Sequence, residues 1–456
     1  MKYIKESNKE MRLVTCRQAG RLGQWSSGIR QWMGILLMLG FISSCSVSKQ
    51  IGKQAGTILL NDTAISTGHI GISIYEPATN KYWYNHNATH YFIPASNTKL
   101  FTLYAGMKYL GDSLVGLRYQ MKGDSTVIEA SGDPTFILTE FKNQPTLNFL
   151  KKQKKIYLSN AFLYKDFLGS GWAWNDYKES YMAQRSSFPI YGNTITSKWI
   201  SPDSINTYPQ FYQKQSVVMG ELKNGFEVIK GFEDNHFLFI NGNEKSKEVP
   251  FRPTIEDIQL LLEDTLKTKL GLDWSKNNKS EILTIRSQPS DSLFKPMMHR
   301  SDNFFAEQTL LMASNEHLGY MSDKKIIDTL LKTDLKDLPQ KPKWVDGSGL
   351  SRYNLFTPQS FVYLLNKMKT EFGWERLKNI LPTGGGGTLS SYYKKDSGFI
   401  YAKTGTLSNN CALSGYLITQ KGKLLIFSVL ANNYITGATP VRRAVEKFLL
   451  AIRENY

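Results

Sequence analysis

Apolar positions alternate in short runs near both ends of the chain and recur at helical spacing between them. Ile70-Gly71-Ile72-Ser73-Ile74-Tyr75 reads as a strand, Pro77-Ala78-Thr79-Asn80 as a turn, and Tyr82-Trp83-Tyr84 as a returning strand. After the punctuation of Pro94-Ala95, positions Leu100, Leu103, Tyr104, Met107 and Leu110 keep the helical period and stop at Gly111. The last third mirrors this start. Phe399-Ile400-Tyr401 leads a strand into Lys403, and residues 412–418 and 424–430 give two more across the turn Gln420-Lys421-Gly422. Pro440 then opens a closing helix with Val441, Val445, Leu449 and Ile452 on its apolar face. Strands at both ends with an apolar helix behind them predict a mixed sheet covered by helices and closed by both termini.

The middle of the chain reads differently. Gly132-Asp133-Pro134, Gly171-Trp172-Ala173-Trp174, Phe188-Pro189-Ile190-Tyr191 and residues 226–241 are strand and turn signals. Residues 46–68 read as a polar tether with a helical stretch at Ala55–Leu60, and Gly384-Gly385-Gly386-Gly387 as a flexible loop. No internal repeat stands out.

With 456 residues, 41% of them hydrophobic and 21% charged, the chain is an ordered globular protein with material for two or three domains. Its formal charge is +17, of which residues 1–44 hold seven basic and two acidic side chains. A solvated lysine-rich surface accounts for the rest, because no basic run interleaves with aromatics as a nucleic-acid partner requires. The basic N-terminus precedes the apolar run Met33-Gly34-Ile35-Leu36-Leu37-Met38-Leu39-Gly40-Phe41-Ile42. That is too short to span a bilayer and suits a secretory signal. Ile42-Ser43-Ser44-Cys45 resembles a bacterial lipoprotein processing site, so residues 1–44 are expected to be a signal peptide and Cys45 the lipidated first residue of an exported, membrane-anchored, periplasmic chain. The length of the basic region admits an internal start such as Met11. With Cys16 in the leader, only Cys411 remains, in an apolar strand-like stretch where a buried structural role is expected and no internal disulfide is possible.

Three motifs carry the chemistry. Ser-x-x-Lys occurs at Ser46, Ser96, Ser292, Ser322 and Ser391, and only Ser96 opens an apolar helix. There Lys99, three residues on, shares its face, and burial against the helix favours the neutral amine that can act as a base. Taken alone, the match would equally describe a capping serine and a solvent lysine. Ser301-Asp302-Asn303 then supplies a hydroxyl to pass a proton to a leaving amine and an amide to orient a substrate carbonyl. It also reads as the N-cap of a helix from Phe304. Lys403-Thr404-Gly405 lies on a strand whose edge can pair with substrate backbone. Lys403 and Thr404 are placed to bind a carboxylate, and the N–H groups of Ser96 and Thr406 to form an oxyanion hole. Their order matches the parts of a serine enzyme that uses lysine in place of histidine, acting on D-alanyl peptides or β-lactams. His69, His86, His90, His236, His299 and His317 complete no triad, and His86 and His90 lie in a strand-and-turn stretch unsuited to a metal pair. There is no Gly-x-Ser-x-Gly, phosphate-loop or dinucleotide motif, and no cofactor or metal is expected.

These motifs, with Pro94-Ala95-Ser96-Asn97-Thr98-Lys99-Leu100, Gly132-Asp133-Pro134-Thr135, Trp172-Ala173-Trp174, Ala306-Glu307, Asp346-Gly347-Ser348-Gly349-Leu350-Ser351-Arg352 and Ala402-Lys403-Thr404-Gly405-Thr406, resemble the low-molecular-mass class C penicillin-binding proteins, the D-alanyl-D-alanine carboxypeptidases/endopeptidases. The resemblance covers nearly all of residues 50–456. It implies an α/β (α+β) chain: a β-lactamase/transpeptidase-like domain, an antiparallel sheet flanked by helices, formed by residues 46–120 and 286–456. A large mostly-β insertion, 121–285, lies between them as two nested modules. It further implies catalytic Ser96, Lys99, Ser301, Asn303 and Lys403, substrate-binding Thr404, Gly405 and Thr406, and peptidoglycan peptides and β-lactam inhibitors as partners. A serine β-lactamase is the alternative. Glu307 stands only four residues after Asn303, the wrong distance for that class's deacylating glutamate, and the long insertion disfavours a compact lactamase. A non-catalytic wall-binding or β-lactam-sensing lipoprotein is the third reading, against which stands the presence of every expected catalytic side chain.

Overall fold

Strand His69–Glu76 is buried at every residue after the first, which requires cover on both of its faces. The computed structural model, which describes residues 47–201, 204–221, 226–241, 246–275 and 281–456, supplies that cover. The segment 1–44 expected to be a signal peptide, and Cys45, lie outside the described residues.

The central sheet runs in the order Ile400–Leu407, Asn410–Ile418, Leu424–Asn432, His69–Glu76, Lys81–His86. Every pairing is antiparallel, so the mixed sheet expected from the hydrophobic pattern is corrected here. Hairpins connect the strands at each chain end, and the two ends meet where Ile70 pairs with Ala431 and Ile74 with Phe427. On one face Tyr416 packs against Trp374 and donates its hydroxyl to the Leu365 carbonyl of helix Pro358–Phe372. Toward the other, Cys411, Leu413, Val429 and Ala431 gather around Val445 of the closing helix Ala438–Asn455. Cys411 is buried. Behind the first face lies helix Lys99–Tyr109, buried from Lys99 to Met107 and therefore without a polar side. Its Leu100, Phe101 and Tyr104 share one core with Phe305, Leu310, Phe356, Phe361 and Tyr416.

Residues between the first two motifs build a second core from Leu117, Ile128, Ile156, Phe188, Tyr212, Phe237, Phe251 and Leu261. It is framed by a five-stranded sheet with both parallel and antiparallel neighbours and by two three-stranded sheets. Helix Ile255–Leu266, which strand and turn signals did not anticipate, packs into it through Ile258, Leu261 and Leu262.

Gly384–387 is not a flexible loop but a packed turn. The Gly385 N–H donates to the Leu389 and Tyr392 carbonyls and the Gly386 N–H to that of Thr383. A Cβ at Gly387 would lie 2.7 Å from the His299 carbonyl oxygen. Gly384 and Gly387 are there for close approach and Gly385 for its positive φ of 76°, which composition alone reads as looseness.

Candidate active site

The turn that carries Ser96, the expected nucleophile, is tightly wound. Ala95 holds a positive φ of 47°, a 3₁₀ turn Ala95–Thr98 follows, and the α-helix begins at Lys99. This leaves Ser96 partly exposed at the head of a buried helix and Lys99 fully buried one turn on. The Lys99 Nζ makes three contacts: Ser96 Oγ at 3.0 Å, Asn303 Oδ1 at 2.6 Å and the Ser348 carbonyl at 2.6 Å. Burial lowers its pKa to about 8, against the pull of Asp346, Glu307 and Asp302. A neutral amine has two N–H bonds and one lone pair. The amide and peptide oxygens can only accept, so both N–H bonds go to them and the lone pair is left facing Ser96 Oγ.

At the second motif Ser301 adopts φ 63° and its hydroxyl oxygen accepts from Lys403 Nζ at 2.8 Å. Because Ser301 is turned out in this way, the helix N-cap is Asp302, whose carboxylate accepts from the Phe305 N–H at 2.9 Å. Arg300 clamps Asp302 and makes a bidentate pair with Glu140. Asn303 gives its Oδ1 to Lys99 and donates one amide hydrogen to the Tyr181 carbonyl, leaving the second for a substrate.

The third motif lies on the edge strand Ile400–Leu407. Lys403 is fully buried, and burial, with Lys99 and Arg442 adding to it, holds its ammonium well below the usual lysine value. A Cβ on Gly405 would sit 2.7 Å from the Pro94 carbonyl and 3.1 Å from the Ser96 nitrogen. Its glycine therefore lets the strand lie directly against the nucleophile turn. By strand alternation Lys403 and Gly405 face that turn, while Thr404 and Thr406 face the closing helix. Thr404 lines the cavity there with Cys411, and the Thr406 hydroxyl accepts from Arg442. The structure thus brings Ser96, Lys99, Asn303, Ser301 and Lys403 together but not the Thr404 side chain. The Ala402 N–H points outward to the Pro382 carbonyl, so by the same alternation the N–H groups of Thr404 and Thr406 lie on the open edge.

Several participants went unassigned in the sequence. The Ser348 carbonyl is offered by a turn that Asp346 organises, accepting from the Gly349 and Ser351 N–H groups, Asn354 Nδ2 and Trp172 Nε1. Gly349 passes so close to the Ala95 carbonyl that a Cβ would clash at 2.0 Å. Glu307 is fully buried and accepts the Ser348 N–H at 2.7 Å; its other oxygen faces Arg185, which is itself paired with Asp323. The motif from Asp346 to Arg352 signalled this turn, but a carbonyl's role leaves no mark in residue identity. A cleft of about 760 Å³ opens over Ser96, with Asn303, Gly349 and Thr406 beneath it and Trp172, Tyr181 and Tyr353 along its walls.

Residues 54–452 match the model of the D-Ala-D-Ala carboxypeptidase 3 (S13) family. Carboxypeptidase DacB of Mycolicibacterium smegmatis is 31% identical over 173 residues, covering 35% of this chain and 37% of that protein. The D-alanyl-D-alanine carboxypeptidase of Actinomadura sp. strain R39 is 24% identical over 446 residues, covering 84% of this chain and 81% of that one. The crystal structure of penicillin binding protein 4 from Haemophilus influenzae superposes with a TM-score of 0.69 at 19% identity, covering 89% of this chain and 99% of the other.

Proposed function

The chain belongs to the D-Ala-D-Ala carboxypeptidase 3 (S13) family, and on that premise we propose that it is a serine DD-peptidase acting on peptidoglycan stem peptides, with Ser96 as nucleophile and Lys99 as its base. The observation that carries this is the Lys99 amine, its two N–H bonds held by carbonyl oxygens and its third position on Ser96 Oγ. Lys99 takes the Ser96 proton as Oγ attacks the carbonyl between the two D-alanines. The oxyanion is held by the N–H groups of Ser96 and Thr406. As the C–N bond breaks, Ser301 gives its proton to the departing amine and regains one from Lys403, which donates to it. Exchange with solvent returns Lys99 to the free amine and Lys403 to the ammonium; water then hydrolyses the acyl-enzyme, Lys99 taking the water proton and handing it to Ser96 Oγ as the ester breaks. The remaining Asn303 amide hydrogen orients the donor peptide, and backbone groups of Thr404 to Thr406 pair with it along the strand edge.

β-Lactams enter the same path and stop at the ester. Glu307, turned to Ser348 and Arg185, is not free to activate a deacylating water, which favours a stable adduct over lactamase turnover. Residues 46–120 and 286–456 are proposed as the catalytic domain and 121–285 as its insertion; the second core, whose residues run from Leu117 to Leu270, supports an insertion that opens a few residues earlier. Export and lipidation at Cys45 are proposed from the leader sequence. Incorporation of labelled palmitate that is lost in Cys45→Ala checks them.

Fluorescent penicillin is expected to label the wild type covalently and not Ser96→Ala. Label surviving in that variant would remove Ser96 from its role, and fast penicillin turnover without an adduct would favour the lactamase. Pentapeptide and cross-linked muropeptides assayed side by side divide carboxypeptidase from endopeptidase activity.

A further inference from the structure

Glu307 is a buried carboxylate that the acyl-transfer steps leave without a task. It lies on helix Asn303–Leu318, one turn beyond Asn303, with both oxygens engaged. One accepts the Ser348 N–H at 2.7 Å, and the other lies 3.4 Å from Arg185 Nη1. Arg185 comes from the stretch between the first two motifs. It is 2% exposed and is held by the Asp166 and Leu168 carbonyls and by Asp323, with the Trp172 ring beside its guanidinium. The Ser348 residue whose N–H Glu307 holds is the one whose carbonyl binds Lys99. A chain of charge-assisted contacts therefore runs from the insertion to the proton-transfer lysine through a single residue's backbone.

We propose that Glu307, ionised and paired with Arg185, is a positioning residue that fixes the Ser348 backbone and so aims the Lys99 lone pair at Ser96. This rests on the assignment of Ser96 and Lys99 made above. Two N–H vectors define the third direction of an amine, and Lys99 has only Asn303 and Ser348 to define them. Asn303 is anchored to Tyr181 and by its own helix. The Ser348 turn hangs on Asp346 and Glu307. The insertion thereby takes part in catalysis without touching the reacting atoms. The charge of Glu307 also acts on Lys99 directly, alongside Asp346 and Asp302 and opposed by Lys403. Burial, with Asp346 and Asp323 adding to it and Arg185 and the Ser348 N–H opposing it, raises Glu307's own pKa to about 7, so it is ionised above that pH, in the range where Lys99 becomes the free base.

The test is the second-order rate of penicillin acylation against pH for wild type, Glu307→Gln and Glu307→Ala. Mass spectrometry locates the adduct, and melting curves report folding. Glu307→Ala leaves the Ser348 N–H unheld and is expected to lose about 10²-fold in acylation rate, the scale of a small misplacement at a reacting group. Glu307→Gln keeps an acceptor and is expected to recover at least about tenfold of that loss. With the negative charge gone, its alkaline-rising limb should move to lower pH. Wild-type acylation in Glu307→Ala, a glutamine variant as slow as alanine, or an unmoved limb in Glu307→Gln would each overturn the proposal. If Glu307→Ala does not fold, the limb in Glu307→Gln decides alone. An adduct found away from Ser96 signals failure of the underlying assignment instead.

Discussion

With Lys99 as the proposed base, its titration sets the pH at which this enzyme is expected to work. Its pKa, lowered to about 8 by burial, means that the base form is the minority below that pH and the majority above it. Acylation by penicillin at saturating enzyme stability should therefore rise with pH and reach half its plateau near pH 8. A flat profile between pH 6 and 9 would exclude Lys99 as the base. Ser96 and Lys99 were legible in the sequence because their spacing and the apolar helix behind them are properties of residue identity. The Ser348 carbonyl that completes the lysine's shell was not, since any residue supplies a carbonyl and only the turn around Asp346 aims it.

At the scale of elements, two close contacts join the motifs. Strand Ile400–Leu407 lies on the nucleophile turn only because Gly405 has no side chain, and the Asp346 turn approaches Ala95 only because Gly349 has none. Gly405→Ala is expected to cost about 1–3 kcal/mol of stability, as overpacking does, and to slow acylation at every pH without moving the limb. Unfolding in denaturant and the same labelling assay measure the two effects. The strands and helices near the chain ends could be read from period because each buries a whole face. Helix Ile255–Leu266 escaped although a cap was written in the sequence: Thr254 Oγ1 accepts from the Asp257 N–H and donates to its carboxylate. Its apolar positions Ile255, Ile258, Leu261, Leu262 and Leu266 also keep the helical period, so the helix was legible and only the strand and turn signals around it drew the reading away. Ser301-Asp302-Asn303 was legible as a helix cap, but not which residue does the capping, because the left-handed backbone at Ser301 that leaves that role to Asp302 has no signature in a non-glycine residue.

For the molecule as a whole, the closing helix Ala438–Asn455 lids the sheet on which the third motif sits. Phe448, fully buried in it, should cost about 3–5 kcal/mol when cut to alanine, read as a lower thermal midpoint with the labelling pH limb unchanged. Asn432, from the last strand, accepts the Ile93 N–H beside the nucleophile turn across 339 residues of sequence, and Lys403 closes the site from the same end of the chain. A ribosome delivers these groups last. Until the final hairpin is made, Ser96 has no strand beside it, no second lysine and no oxyanion partner in Thr406. A polypeptide that stops short of that hairpin lacks part of the proposed site and is expected to be silent.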